Sequence, residues 1–458
     1  MRSVLNLIYL ISCLSFGTLY FFGLGWLIIY LLGYRTQLNQ RQEFLSLKGF
    51  SIALSSGLII NYLIVLIVHK LDVSLLIGSI LSFLGIMWFC LTIYTVGIKK
   101  IITLKINRRI FGAIIYSLVC VAPIVVDPLA DWDARSFWFF HGKILFYSGV
   151  FGNNSGWVNS VINWSHLDYP KLIPVIAAQI TRTMGFWNEY LPKLSLFFVW
   201  LPAITWLFSV GKKSFSFLFL LLTIPLAFYP HIWNGYMDAF IAAYFSISLI
   251  AFMSFLTEHK SIDIISVFCF LFLIINIKNE GYLLFLSESI VLIITLIIHT
   301  LNHRICIKFK WNYLFGLSIG IFPVFLWEFY KRKWNIINDL ALGSKNFFFR
   351  IVKRISDGSL QLILGQMAFQ IIIPLIMIIT LLLILKLLHV RINMIYLIPF
   401  FPAILYFTGI IIIYLSTPTQ VEWHLATSVD RTMFAVNGAL YVVCYKLLEN
   451  FESSVLEK

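Results

Sequence analysis

The sequence predicts an all-α polytopic membrane protein with about thirteen transmembrane helices. Three observations carry this. Of 458 residues, 60% are hydrophobic and only 12% charged, roughly half the 25% or so of a soluble domain. Apolar runs of about 20 residues, each able to span a bilayer as a helix, recur from end to end. The runs are continuous rather than alternating, which excludes a strand barrel. A soluble enzyme, a nucleic-acid-binding domain and a disordered chain are excluded with it.

The spans fall, in order, at 5–33, 49–69, 76–98, 108–126, 191–210, 214–230, 236–257, 261–276, 281–301, 312–330, 360–385, 392–414 and 432–447. The first is too long for a signal-peptide core and has no clear small-residue cleavage site, so it is kept as a helix. Residues 170–185 are apolar as well. A crossing there would invert every later loop, so the segment is expected to lie on or dip into the outer leaflet. The six cysteines are scattered and show no metal or disulfide spacing.

Lys plus Arg is 34 against 20 Asp plus Glu, a net charge of +14. In a membrane protein such an excess sets topology and touches anionic lipid rather than nucleic acid. One set of short segments holds Arg35, Arg41 and Lys48, then Lys99, Lys100, Lys105, Arg108 and Arg109, then Lys212, Lys213, Lys260, Arg304, Lys308, Lys310, Lys386, Arg391, Lys446 and Lys458. The opposite short segments hold only Arg2, Lys70, Lys278 and Arg431. The first set is therefore expected on the cytoplasmic side. Two long loops, 127–190 and 331–359, face outward.

Ionisable residues at the membrane are costly and read as functional candidates. With this topology almost all of them fall on the outer side. Asp127, Asp131 and Asp133 follow the fourth span in VVDPLADWDARSFWFF. A carboxylate in an apolar surround suits a general base, and two close carboxylates suit a divalent cation such as Mg or Mn. Asp133 could equally cap an amphipathic interfacial helix over 134–147. His166, Asp168, Tyr169, Pro170 and Lys171 form a second group in WSHLDYPKLIP. Asp238 stands at the mouth of the seventh span, and Lys278, Asn279 and Glu280 lie between two spans. Glu422, Trp423, His424, Asp430 and Arg431 precede the last span, where an Arg fork suits a phosphate. The loop 331–359 adds Lys331, Arg332, Lys333, Lys345, Arg350, Lys353 and Arg354 among aromatic residues, which suits an anionic lipid head group.

Together, DWDARSFWFFHGKILF, HLDYPKLIP, NGYMDAF, IKNEG and EWHLATSVDR resemble the ordered motifs of bacterial integral-membrane glycosyltransferases of the GT-C class. The nearest resemblance is to relatives of the dolichyl-phosphate-mannose protein mannosyltransferases, over about 127–445. The resemblance divides the chain into an N-terminal three-helix addition (1–107), a GT-C-like core (108–330) with a catalytic outer loop 127–190, the basic outer loop 331–359, and C-terminal helices with a short tail (360–458).

It also implies a sugar transferred from a polyprenyl-phosphate donor to an acceptor hydroxyl on a glycan, lipid or protein, on the outer face of a bacterial cell membrane, in glycan biosynthesis for the cell envelope. It implies an acid of the first outer loop as base, Asp131 or Asp133. Family members often show two adjacent acids there, whereas Trp132 separates them here, which leaves the base and any metal undecided between the two positions. Lys278, Arg431 and one of Arg350, Lys353 or Arg354 would hold the phosphate. His166, Asp168, Tyr169, Asp238, Glu280 and His424 would contact sugar or acceptor. An O-antigen polymerase or ligase is the alternative enzyme, but it would lean on a large late outer loop. A lipid-linked-sugar transporter or flippase would show mid-span charges and inverted repeats. A purely structural subunit would not need so many ionisable clusters on one side.

Overall fold

The computed structural model describes residues 2–33, 45–96, 108–152, 156, 159–211, 213–226, 230–301, 311–336 and 346–456. A helix occupies each of the predicted intervals. In order they are α1 (Arg2–Gly33), α2 (Leu47–Val68), α3 (Leu71–Val96) and α4 (Arg108–Val126). After the first long loop, which holds α5 (Phe139–Ser148) and α6 (Leu172–Met184), come α7 (Leu194–Val210), α8 (Ser214–Leu226), α9 (Asp238–Glu258), α10 (Ser261–Ile277), α11 (Glu280–Leu301) and α12 (Trp311–Lys333). The C-terminal part holds α13 (Phe347–Ser356), α14 (Ser359–Leu387), α15 (Phe400–Ser416), α16 (Val421–Thr432) and α17 (Phe434–Phe451). Among the described residues there is no strand beyond an isolated bridge between Lys70 and Val150.

Nine helices among the described residues are long and apolar enough to cross a membrane. They divide by where their apolar surface goes. α7 and α9 are buried almost all round, with Trp200, Trp206, Tyr244 and Phe245 sealed in the core. α3 and α14 turn most of their apolar surface outward, including Phe83, Tyr94, Phe369, Ile373 and Leu387. A helix that is apolar all round is stable only inside protein or in lipid. So α7 and α9 form the centre and α3 and α14 meet the bilayer. α9 packs on α7, α10 and α17, and α2 packs on α7 and α10. α1 crosses α2 where Gly57 meets the Phe21 carbonyl, a closeness that any side chain at 57 would prevent.

The first long loop differs from expectation in two ways. The segment expected on the outer leaflet is α6, and it is enclosed: Leu172 through Thr181 are all buried. Its thirteen residues reach only about 20 Å, too short to cross a bilayer. Its small Ala177 and Ala178 let neighbouring helices close over it, and α5 packs against it. The helix expected over 134–147 starts with a π-helical turn, Ala134–Trp138, before α5. It is half enclosed, with Phe137, Trp138, Phe139 and His141 buried and Arg135, Lys143 and Tyr147 outside.

The basic loop is shorter than 331–359, because α12 runs on to Lys333. Lys331 pairs with Glu328 at 2.5 Å on the last turns, where cations suit a helix C-terminus. Lys345 lies outside the described residues, as do Arg35, Arg41, Lys99, Lys100, Lys105, Lys212, Arg304, Lys308, Lys310 and Lys458.

α9 and α10 give the molecule two ends. α9 leads from Asp238 to Glu258, about 30 Å at helical rise, and α10 returns to Lys278. Lys48, Lys213, Lys260 and Lys446 share a cavity at one end. Asp238, Lys278 and Arg431 meet at the other.

Candidate active site

Four chain segments meet at the Asp238 end of α9. The first is the helical turn carrying Asp133. A π turn holds one residue more than an α turn and shifts the phase of the residues after it. Here it turns Ala134, Ser136, Phe137 and Trp138 inward together. Asp133 makes no cap with its carboxylate, so of its two readings the capping one does not hold. The side chain goes to Arg431 instead.

The second segment is the turn before α9. A one-turn helix, His231–Asn234, ends at Gly235 with φ 96°, a left-handed conformation that suits glycine. A Cβ on Gly235 would sit 2.5 Å from Cβ of Ala134. The bare glycine therefore lets this turn abut the π turn that carries Asp133. Tyr236 and Asp238 come directly after it.

The third segment is the link from α10 to α11. Lys278 is extended (φ −149°, ψ 153°) and buried. Its Nζ lies 2.7 Å from Asp238 Oδ1 and 3.0 Å from Glu280 Oε1. Burial alone would lower the ammonium's pKa, but the two carboxylates outweigh it and hold Lys278 above its ordinary value.

The fourth is the last turn of α16. Arg431 donates from Nη1 to Asp133 Oδ2 at 2.5 Å and from Nη2 to the Thr427 carbonyl at 2.7 Å. Nη1 also lies 3.6 Å from Asp238 Oδ2. The guanidinium carbon stands 4.4 Å over the Tyr236 ring, a cation–π contact. Burial opposes the charge, yet Asp238 and Asp133 outweigh it and raise the pKa further.

The result is a chain of alternating charges: Asp133, Arg431, Asp238, Lys278, Glu280. Three carboxylates face two cations. The chain passes through Asp133 and leaves Asp131 half-exposed beside it, with Trp132 exposed between them.

The remaining candidates sit around this chain with different environments. Asp168 is buried; it accepts from Asn279 Nδ2 at 2.6 Å through Oδ2, and its carbonyl accepts from Trp327 Nε1 at 3.1 Å. Asp168 thus braces the Lys278–Asn279–Glu280 link. His166 is left-handed (φ 51°) and stacks on Tyr169, which stacks on Trp138. Both rings therefore line the Asp133 helix. His424 lies two turns before Arg431 on α16 and meets the Tyr414 ring edge-on. Arg354 donates to the carbonyls of Tyr414 and Thr419 at 2.8 and 2.7 Å. That ties down the end of α15 rather than turning the guanidinium to the charge chain. Arg350 and Lys353 share α13 with it, a helix with no buried residue whose Phe348, Phe349, Val352 and Ile355 are exposed. Such a helix suits the bilayer interface.

One buried network escaped the sequence. His141 Nδ1 lies 3.0 Å from Lys171 Nζ, and Nε2 lies 2.9 Å from Ser165 Oγ. Ser165 donates to the Ile162 carbonyl at 2.6 Å. Its single proton is therefore used, so His141 donates from Nε2 and accepts at Nδ1 from Lys171. The serine is satisfied rather than activated. Burial pushes Lys171 down to about 7 against the pull of Asp168. No sequence spacing signals this triplet.

Among the described residues no three His, Cys, Asp or Glu side chains gather for a metal. Arg431 and Lys278 already occupy the positions between the carboxylates. In comparisons with known proteins, no family model, no curated protein and no solved structure matches this chain.

Proposed function

We propose that the protein is a membrane glycosyltransferase of GT-C type. It would move a sugar from a polyprenyl-phosphate donor to an acceptor hydroxyl at the outer face of a bacterial cell membrane. The observation that carries this reading is the charge chain itself, in which a half-buried carboxylate, Asp133, stands directly against Arg431, and Arg431 is linked through Asp238 to the buried Lys278. The Lys48–Lys446 end would face the cytoplasm by the charge rule, which puts the chain of ion pairs outside, with about thirteen spans in all.

The chemistry derives from the donor. Asp133 takes the proton of the acceptor hydroxyl. The freed oxygen attacks the anomeric carbon, and the carbon–oxygen bond to phosphate breaks with its electron pair on the phosphate. Arg431 and Lys278 stabilise that leaving oxyanion. One displacement inverts the anomeric centre. Phosphate competes with Asp133 for the Arg431 fork, so donor binding releases the carboxylate as base. Asp238 and Glu280 keep Lys278 charged, and Asp168 holds the turn. His166 and Tyr169, with the exposed Trp132, offer ring surface to sugar or acceptor. Cations on the amphipathic α13 suit the approach of an anionic lipid.

The test is transfer by the purified protein in liposomes containing labelled polyprenyl-phosphate sugars, read as label moved to a glycan or lipid acceptor. Transfer abolished by both Asp133→Asn and Arg431→Ala supports the reading. Full transfer in Asp133→Asn ends it.

A further inference from the structure

The two carboxylates that hold Lys278 are each used on one oxygen only. Asp238 Oδ1 and Glu280 Oε1 face its Nζ at 2.7 and 3.0 Å. Asp238 Oδ2 and Glu280 Oε2 are buried and accept no hydrogen bond among the described residues. Arg431 Nη1 stands 3.6 Å from Asp238 Oδ2, near enough for charge and too far for a hydrogen bond. His231, another basic neighbour of Asp238, turns Nδ1 to Asn234 Nδ2 at 3.3 Å. A buried charged oxygen without a donor is costly, and such atoms are few in a native fold.

The wall beside these acids includes α15. Gly409 sits so close to α11 that a Cβ there would meet Leu283 Cδ1 at 2.6 Å. That approach sets the buried face of α15, with Tyr406, Ile410 and Tyr414, against the first turns of α11. The Tyr414 hydroxyl is taken up by Ser428 Oγ and Thr432 Oγ1 at 2.9 and 3.0 Å. Tyr406 differs. Its ring is sealed in the core, and its hydroxyl makes no hydrogen bond among the described residues. Glu280 and Asp238 are the charged groups that act on that hydroxyl.

A donor without an acceptor therefore shares a neighbourhood with two acceptors without a donor, and they do not bond one another. The group that completes all three must accept from a phenol and donate to a carboxylate. A hydroxyl does both, whereas a carboxylate cannot donate and an ammonium cannot accept. Lys278 bridges the same two acids, so a sugar hydroxyl and its own phosphate would reach neighbouring groups. We propose that Tyr406, Asp238 and Glu280 form a pocket for one hydroxyl of the transferred sugar, with Tyr406 a further specificity-determining residue. The preferred donor then carries a sugar hydroxylated at that position, not one that is deoxygenated or bears a carboxylate there. This inference rests on the transfer reading above.

The experiment uses the full chain in mild detergent. Short-chain polyprenyl-phosphate glucose, galactose and mannose, and the monodeoxy analogues of each, are titrated by native mass spectrometry. One full sugar should bind about ten- to a hundred-fold more tightly than one of its monodeoxy analogues, the size of a hydrogen bond to a charged group. Tyr406→Phe, which keeps the ring, should weaken binding of the full sugar and leave that analogue unchanged, so the gap narrows. Binding blind to every hydroxyl, or a gap unchanged in Tyr406→Phe, overturns the proposal. Should Tyr406→Phe fail to fold, Glu280→Gln takes its place with the same two outcomes. Transfer is followed in liposomes in parallel. Hydroxyl-selective binding with no transfer would support the pocket and sink the transfer reading alone. Transfer without that selectivity would sink the pocket alone.

Discussion

Asp133 and Arg431 stand 298 positions apart in the chain, and Nη1 of the arginine donates to Oδ2 of the aspartate at 2.5 Å. The contact joins the first long loop to the helix before the last span. It turns two weak local signals, an acid after a span and an arginine before one, into a single centre. It also distinguishes Asp133 from Asp131, which spacing alone leaves equal.

Asp133→Asn should lower transfer about 10²–10⁴-fold, the usual contribution of a general base. Asp131→Asn should cost far less. Initial rates with a polyprenyl-phosphate donor, alongside melting curves showing that both variants fold, check this. Equal losses would remove the distinction.

Lys278→Met leaves Asp238 and Glu280 facing each other without their shared cation. Loss of one partner of a buried pair costs roughly 3–5 kcal/mol. Adding Asp238→Asn should recover part of the stability but none of the activity. Chemical or thermal unfolding of the single and double variants measures the coupling.

Gly235→Ala should damage the site more than its size suggests. The new methyl meets Ala134 at 2.5 Å, and the left-handed φ adds strain of order 1–3 kcal/mol. The turn must retreat from Asp133, so catalytic rate should fall further than melting temperature. A variant that melts early but keeps its rate would contradict this.

Tyr236→Leu removes the ring under Arg431, a contact of about 0.5–2 kcal/mol. Tyr236→Phe keeps the ring. The leucine variant should raise KM for the donor several-fold and the phenylalanine variant should not. Donor titrations at fixed acceptor separate the two.

Lys171 gives stability a pH dependence. Its folded pKa is about 7, below the ordinary 10.5. Between those values the unfolded chain binds more protons than the folded one, so stability rises with pH across that window. The slope approaches about 1.4 kcal/mol per pH unit for one proton. Lys171→Met should flatten the rise, as melting from pH 7 to 10 would show.

Much of this architecture is written in the order of residues. Continuous apolar runs located the helices, because a span must satisfy its backbone internally whatever it packs against. Charged residues at span ends located Asp133, Asp238, Lys278 and Arg431 for the same reason: lipid penalises them anywhere else. The enclosure of α6 was not legible, since an apolar helix reads alike in lipid and in protein. Nor was Arg354, whose partners are the carbonyls of Tyr414 and Thr419 and so carry no side-chain signature. Gly235 and Ala134 show the same limit, because their fit is a matter of shape between distant segments. The Lys171–His141–Ser165 network depends on α5 folding back over the segment that leads into α6, which no spacing encodes.

α2 has a consequence for genetics. Its Asn61 and Gln179 of α6 exchange amide hydrogen bonds at 2.6 and 3.0 Å, and its Tyr62 hydroxyl accepts from the Lys171 backbone at 3.1 Å. The second helix is thus bolted to the base of the first long loop. A screen for alleles that lose the proposed transfer should therefore collect hits at Asn61 and Tyr62, far in sequence from every acid and arginine of the centre, and trimming the first hundred residues should abolish that transfer rather than leave a smaller working unit.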